Sequence, residues 1–215
     1  MNNFITGLKE KYYRQQGQKY LVKGNIPKTL SYFQKAILLN DSFENIFNLG
    51  LSYMSLNNFQ TAEKYFAKIQ QKYPDNEMNL LSIAECKMRQ KKWKEAGELY
   101  GKLVAKNPLN KKYSFYLDRS KDVVEREKYA KSKDLLYLSQ EQISEKNFQK
   151  ALEILIQAAE YDPKNANIQN NIGYIYIVQR KFDKAFSHFE RAVALDPDNK
   201  KYQKNFLFSK RKLRK

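Results

Sequence analysis

Small, aromatic and proline positions recur along this chain in one order, separated by polar residues, at intervals of about 34 residues. An interval of this length is typical of a pair of antiparallel helices and the turns that join them. The clearest copy comprises Ile172, Gly173, Tyr176, Ala185, Phe189, Ala192 and Pro197. The pattern therefore predicts a chain that is nearly all helical.

Small residues stand where the two helices of a pair are expected to cross. Antiparallel helices approach closely only where small side chains face each other, as Gly50 and Ala62 would. Large residues such as Tyr53 and Phe66 then fill the space between the turns. A proline biases the residue before it away from the α region, so it ends the second helix of a pair. The prolines at these positions are Pro74, Pro108, Pro163 and Pro197.

Five copies of the pattern divide the chain into two blocks, an N-terminal block over residues 1–110 and a C-terminal block over residues 132–199. The small residues that mark the five copies are Gly17, Gly50, Ala84, Ser139 and Gly173. The corresponding repeats are residues 10–42, 43–76, 77–110, 132–165 and 166–199.

Two segments fit no repeat. Residues 111–131 contain neither proline nor glycine and mix charges densely, so we expect a solvated helical insert or connector. We expect this helix to continue into the one that bears Leu135 and Leu138. Residues 200–215 are predicted to form a basic capping helix and tail, because a stack of helix pairs needs a cover on its last repeat. Whether the two blocks form one continuous stack is left open.

The order Leu-Gly, Tyr, Ala, Phe, Ala, Pro resembles the pattern of the tetratricopeptide repeat (TPR) family. The resemblance covers about residues 10–199 apart from the insert, and the leading aromatic of the family pattern is replaced by Gln169 in the clearest copy. It implies a right-handed α-α superhelix of about five helix-turn-helix repeats with a C-terminal capping helix. It also implies that partner peptides bind the concave surface, which the first helix of each repeat lines.

Bulk composition excludes several classes of protein. Of the 215 residues, 42% are hydrophobic and only seven are glycine, which argues against a disordered chain. No apolar run reaches the roughly 18 residues that span a bilayer, and the first residues carry no secretory signal, so we expect a cytoplasmic protein. Cys86 is the only cysteine, which rules out an intrachain disulfide and predicts a small buried side chain.

The formal net charge is +17. Such a field attracts nucleic acid, an anionic membrane surface or an acidic peptide without choosing among them, and a general lysine bias would produce it equally. Eight cations and no acid lie within residues 200–215, where the basic tail ends in Lys210, Arg211, Lys212, Arg214 and Lys215. This is the densest positive charge in the chain.

The inner positions of the second and third repeats are more apolar than a solvated groove requires. We interpret them as contacts for a partner peptide, with internal covering by the insert or by another copy of the protein as the alternative. These residues are Phe47, Leu51, Met54, Met78, Leu81 and Met88.

Some members of the family clamp a C-terminal carboxylate with cations and asparagines, and the resemblance extends only part of the way to that site. Arg14 and Asn48 match it, whereas Met78 and Ser82 stand where the third helix needs two cations. We therefore expect no intact clamp. A polar inner patch in the last repeat offers donors and acceptors to a peptide backbone, or solvates a helix start. It comprises Asn167, Asn170, Asn171, Tyr174 and, nearby, Lys201.

Catalysis finds no support in the sequence. The one histidine, His188, has no partner nucleophile in the pattern, and no phosphate loop or metal-ligand cluster is present. Trp93 is expected to pack between repeats. We predict a non-enzymatic scaffold or adaptor, without cofactor, that binds a protein or peptide, including an acidic one, on its concave surface. The alternative is a basic nucleic-acid-associated protein that holds phosphates with its lysines. The oligomeric state is left open.

Overall fold

The computed structural model of the chain describes residues 2–213 and divides into two compact units between Asp122 and Val123. Over the described residues the chain folds into twelve helices, which confirms the all-α prediction. The helices of unit 1 are α1 (Asn2–Val22), α2 (Ile26–Leu39), α3 (Phe43–Ser55), α4 (Phe59–Lys72), α5 (Glu77–Arg89), α6 (Trp93–Lys106) and α7 (Lys111–Lys121). Those of unit 2 are α8 (Val123–Ser144), α9 (Phe148–Tyr161), α10 (Ala166–Val178), α11 (Phe182–Leu195) and α12 (Lys200–Leu213).

Helices contact their neighbours in chain order within each unit. Unit 1 contains the pairs α1–α2, α3–α4 and α5–α6, and α7 packs on α6. Unit 2 contains the pairs α8–α9 and α10–α11, and α12 packs on α11. Each unit is therefore a stack of helix pairs with a single helix at its end.

A phenylalanine ring lies against a glycine in three of the five pairs. A Cβ atom on Gly50 would lie 2.5 Å from Cε1 of Phe66, well inside van der Waals contact. The same contact joins Gly17 to Phe33 and Gly173 to Phe189. These rings are buried, so each ring occupies space that a side chain on the first helix would otherwise fill. The two pairs without glycine carry Ala84 and Ser139 at that position, both fully buried.

Each first helix ends in the same left-handed turn. In the second pair, Asn57 has φ of 56°, and the Asn58 N–H donates to the Tyr53 carbonyl at 3.0 Å, which satisfies a carbonyl left free at the helix end. The Asn58 side chain then accepts from the Thr61 N–H and begins α4. The other residues in the left-handed region are Gly24, Lys91, Lys146 and Arg180. The C-cap residue of each of these second helices directly precedes a predicted proline: Tyr73, Asn107, Asp162 and Asp196.

The sequence predicts that residues 111–131 form a single solvated helix, and the structure differs from this prediction. Two helices share residues 111–131: α7 ends at Lys121, and α8 begins at Val123 after an extended Asp122. α8 is long, at 22 residues, and carries Leu135 and Leu138 as predicted. No proline or glycine marks the break, so sequence punctuation alone could not locate it. α7 is also partly buried, because the ring of Tyr116 stacks on Tyr100 of α6.

Each unit has its own cluster of buried apolar side chains. The cluster in unit 1 centres on Phe66 and includes Cys86, which is fully buried as predicted. The cluster in unit 2 centres on Leu155 and Ile172. Trp93 begins α6, at the position that the repeat pattern assigns to the start of a second helix. Across residues 2–213, every helix is either too short or too polar to traverse a bilayer.

Replacing Gly50 by alanine tests the ring-against-glycine contact. The methyl group would collide with Phe66, so Gly50→Ala should lower the free energy of unfolding by roughly 1–3 kcal/mol. Gly101 is the matched control, because a Cβ there meets no atom within 4 Å. Gly101→Ala should stabilise the protein by about 0.5–1 kcal/mol through helix propensity. Urea unfolding followed by circular dichroism compares the two, and equal stabilisation by both variants would contradict the packing described.

Candidate functional site

The first helices of unit 1 lie side by side and present a common surface, which we call the first-helix face of unit 1. Arg14 of α1 binds the Glu44 carboxylate of α3 at 2.6 Å. Arg89 of α5 donates to Asn57 in the turn after α3 at 3.4 Å. The Tyr113 hydroxyl of α7 donates to the Glu77 carboxylate of α5. These bonds connect α1, α3, α5 and α7 in sequence.

Three of the predicted apolar contacts retain accessible surface on this face. Met78 is 56% exposed and Leu51 is 36% exposed, while Leu81 is half-buried. These side chains are apolar, lie on two neighbouring first helices and are available to another molecule. They form the candidate peptide contact of unit 1.

Two predicted contacts are corrected by the structure, and a third is only partly available. Phe47 is buried, because its ring stacks on Phe43 and tilts against Phe66 in the core. Met88 has no exposed surface, since α5 packs against both α4 and α6 and is covered from two sides. Met54 is half-buried and packs on the same core. The repeat register places all three on the inner side but does not show how deeply each side chain sits.

Arg14 and Asn48 are brought to the first-helix face of unit 1, but not as a free clamp. The Arg14 guanidinium is bound by Glu10 at 3.1 Å as well as by Glu44, so its charge is already matched. The side-chain nitrogen of Asn48 is buried and donates to no group of the protein. Because this nitrogen is buried, Asn48 does not present a donor to a ligand in this arrangement.

The first-helix face of unit 2 is formed by α8, α10 and α12. Asn205 of α12 donates to the Asn170 side-chain oxygen of α10 at 2.7 Å and fixes the two helices to each other. Asn170 is 2% exposed, so it bridges helices instead of contacting a peptide, which corrects its predicted role. Asn167, Tyr174 and Lys201 are exposed and Asn171 is half-buried, so these four remain available together.

The basic tail continues along α12. Lys210, Arg211 and Lys212 are exposed, and the Lys210 and Lys212 ammonium groups lie over the rings of Phe206 and Phe208 at 5.9 and 5.7 Å. Arg214 and Lys215 lie outside the described residues. Lys204, one of the eight cations predicted for residues 200–215, is exposed as well. Sequence reasoning missed Phe208, which lies seven residues after Lys201, a helical spacing that places both on one face.

A groove between α4 and α6 was not anticipated from the sequence. It encloses about 250 Å³, with Ile83 and Leu99 in its lining, and contains a charged cluster. The Lys87 ammonium binds Glu63 at 2.7 Å and Glu95 at 2.5 Å. Burial alone would lower the pKa of Lys87, but these carboxylates outweigh it and raise the pKa. One lysine between two carboxylates therefore joins α4, α5 and α6.

Groups suited to catalysis are sparse and are held in structural roles. Burial raises the pKa of the Cys86 thiol to about 12, so it carries no reactive thiolate at neutral pH. His188 is half-buried, with Nδ1 2.9 Å from the Gln169 side-chain oxygen and its ring near Tyr176. Among residues 2–213, His, Cys, Asp and Glu side chains form no group of three that could hold a metal ion.

His188 predicts a specific dependence of stability on pH. Burial, and then the Arg191 cation, lower the pKa of His188 below its ordinary value of 6.5. A depressed histidine pKa means that the unfolded chain binds a proton before the folded one does, so stability falls as pH drops below about 6.5. The melting temperature should therefore decrease from pH 7.5 to 6.0.

The variant His188→Gln provides the control, since the chain has no other histidine. Its melting temperature should be nearly flat over the same range, because histidine is the side chain that ordinarily titrates there. A wild-type protein that melts higher at pH 6.0 than at pH 7.5, or a variant with the wild-type slope, would show that burial of the ring is not the cause.

Two family models, both described as tetratricopeptide repeat, match the chain. One matches residues 142–204 and the other matches residues 44–76 and 79–110. Together these ranges make up more than half of the sequence. They include the second, third and fifth helix pairs of the structure. A search of curated protein sequences found no match.

Solved structures of similar shape include two forms of MamA and a domain of yeast Sti1. A double mutant named MamA RS-1 ArsTM is 18% identical, with a TM-score of 0.49, and the match covers 90% of this chain and 97% of that one. MamA from Desulfovibrio magneticus RS-1 is 19% identical, with a TM-score of 0.45 and coverage of 89% and 97%. The TPR2AB domain of yeast Sti1, in a complex with pHSP90, is 13% identical, with a TM-score of 0.47 and coverage of 94% and 83%.

Proposed function

Because this chain belongs to the tetratricopeptide repeat family and is a protein-protein interaction scaffold, we propose that it binds a peptide segment of its partner on the first-helix faces. Proteins of this family generally act as interaction modules and not as enzymes, and we propose no activity for this one. The partner segment is expected to be short, because each unit offers only three or four neighbouring first helices.

The observation that carries the proposal is the exposure of Met78 and Leu51 on neighbouring first helices. A side chain such as these contributes roughly 1.5–3 kcal/mol when it is fully covered. Methionine adapts its shape to varied apolar partners, which suits a peptide contact.

The acid-free helix α12 favours a second candidate function, the binding of nucleic acid phosphates. Its exposed lysines and arginine suit a polyanion, but the rings of Phe206 and Phe208 lie under lysine ammonium groups and are poorly placed for base stacking. Binding of this kind would be non-specific, and its affinity would fall linearly with salt on logarithmic axes. A peptide held by apolar contacts would respond only weakly to salt.

A selection from a display library of random 12-residue peptides on the purified chain tests the proposal. Peptides bound at Met78 and Leu51 should lose roughly tenfold or more in affinity with Met78→Ser or Leu51→Ser, since about 1.4 kcal/mol corresponds to a factor of ten. Leu38→Ser is the matched control, because Leu38 is 85% exposed on the second helix α2. Its affinity should equal that of the wild type, measured by fluorescence anisotropy at low and high salt.

Three results would overturn the proposal. The first is a selection that enriches no peptide. The second is an equal loss of affinity with Leu38→Ser. The third is tight binding of single-stranded RNA with a steep salt dependence, in the absence of peptide binding, which would favour the second candidate function.

A further inference from the structure

We propose that unit 2 binds an acidic peptide segment along the surface shared by α10 and α12. This inference rests on the proposed function and deepens it by naming the chemistry of the partner. The surface, called here the α10–α12 surface, consists of Asn167, Asn171, Tyr174, Lys201, Lys204 and Phe208.

The charge of this surface is uniform. The 13 residues of α10 include no charged side chain, and the 14 residues of α12 include lysines and an arginine but no acid. Elsewhere the lysines meet carboxylates, as Lys72 meets Asp41 and Lys106 meets Asp75. Within residues 2–213, no carboxylate pairs with Lys201 or Lys204. Their complement must therefore come from solvent ions or from a partner.

The hydrogen bond between Asn205 and Asn170 sets the register of the two helices. Both helices pack against α11, to which short turns connect them, so they run parallel to each other. Tyr174 lies one turn beyond Asn170, and Phe208 lies about one turn beyond Asn205, which brings them to the same level. Asn167 and Lys201 lie one turn before the bond and face the same way.

The surface therefore has a polar end and an aromatic end. Asn167 and Lys201 stand at the first, whereas Tyr174 and Phe208, 45% and 40% exposed, stand at the second. Carboxylates of a bound segment would meet Lys201 and Lys204, and an apolar side chain would cover the two rings. Peptide N–H and C=O groups would pair with the amides of Asn167 and Asn171.

The asparagines favour a peptide over the other anions that a basic helix attracts. A phosphate diester of nucleic acid or of a lipid headgroup accepts hydrogen bonds but donates none, so it would pair only with the N–H groups of the asparagine amides. A peptide backbone supplies both donors and acceptors. Phe208 also has the Lys212 ammonium over its ring, which hinders base stacking but leaves room for an apolar side chain at the edge.

The same selection of 12-residue peptides tests this inference when it is repeated on charge-reversed full-length chains. On the wild type, a class of peptides rich in Asp and Glu, with an aromatic or aliphatic residue, should be enriched. The double variant Lys201→Glu/Lys204→Glu should lose that class, and its members should bind it at least tenfold more weakly. The control Lys94→Glu/Lys150→Glu makes the same change in net charge on exposed positions of the second helices α6 and α9 and should retain the class.

A second variant tests the aromatic end. Tyr174→Ala should weaken the enriched acidic peptides at least threefold without changing the far-ultraviolet circular dichroism, because this side chain is exposed. Loss of peptide binding in both charge-reversed chains would show a general effect of net charge and overturn the inference. Retention of the acidic class in Lys201→Glu/Lys204→Glu would also overturn it.

Binding measurements on the same wild-type and variant proteins also test nucleic acid and membrane as partners. Tighter binding of single-stranded RNA, or of phosphatidylserine vesicles, that disappears in Lys201→Glu/Lys204→Glu would assign the surface to nucleic acid or membrane and overturn the inference. If no acidic class appears but peptides still bind through Met78 and Leu51, only this inference fails. If no peptide of any kind is enriched, the proposed function itself fails.

Discussion

The close approach of paired helices at a missing side chain is the contact on which the rest of the structure depends. The Phe66 ring fits against α3 only because Gly50 has no Cβ, and the same holds for Phe33 and Phe189 in their pairs. With the ring held there, the second helix lies flat against the first and the next pair can stack on both. The apolar side of each second helix is covered by its own first helix and by the next pair. The other side of the first helices is then left exposed as the first-helix faces.

The residues that form this helix contact could be predicted from the sequence. How deeply each inward-facing side chain is buried could not. The small residues, the proline stops and the all-helical fold follow from spacing, because the two helices of a pair are adjacent along the chain and their contact recurs at a fixed interval. Phe47 and Met88 share the inner register with Leu51 and Met78 but are buried. Helical periodicity gives the direction of a side chain but not how far neighbouring helices cover it, so it could not separate the buried residues from the exposed ones.

The same distinction applies to the polar site. Helical spacing places Asn167, Asn171 and Tyr174 on one face, whereas the role of Asn170 depends on Asn205, which comes 35 residues later. The break between α7 and α8 lacks any proline or glycine, so sequence punctuation does not mark it. Charge shows a similar contrast, because lysines such as Lys87 are matched by acids on neighbouring helices while those of α12 are not.

The shallow attachment of α12 has a thermodynamic consequence. Only Tyr202 and Ser209 of this helix are buried, so its unfolding exposes little apolar surface and it is poised to fray. A molecule that touches α10 and α12 together binds only while α12 is docked. Binding of a partner to both helices would therefore stabilise the docked state of α12. Amide hydrogen exchange in α12 should then be slower when the partner is bound.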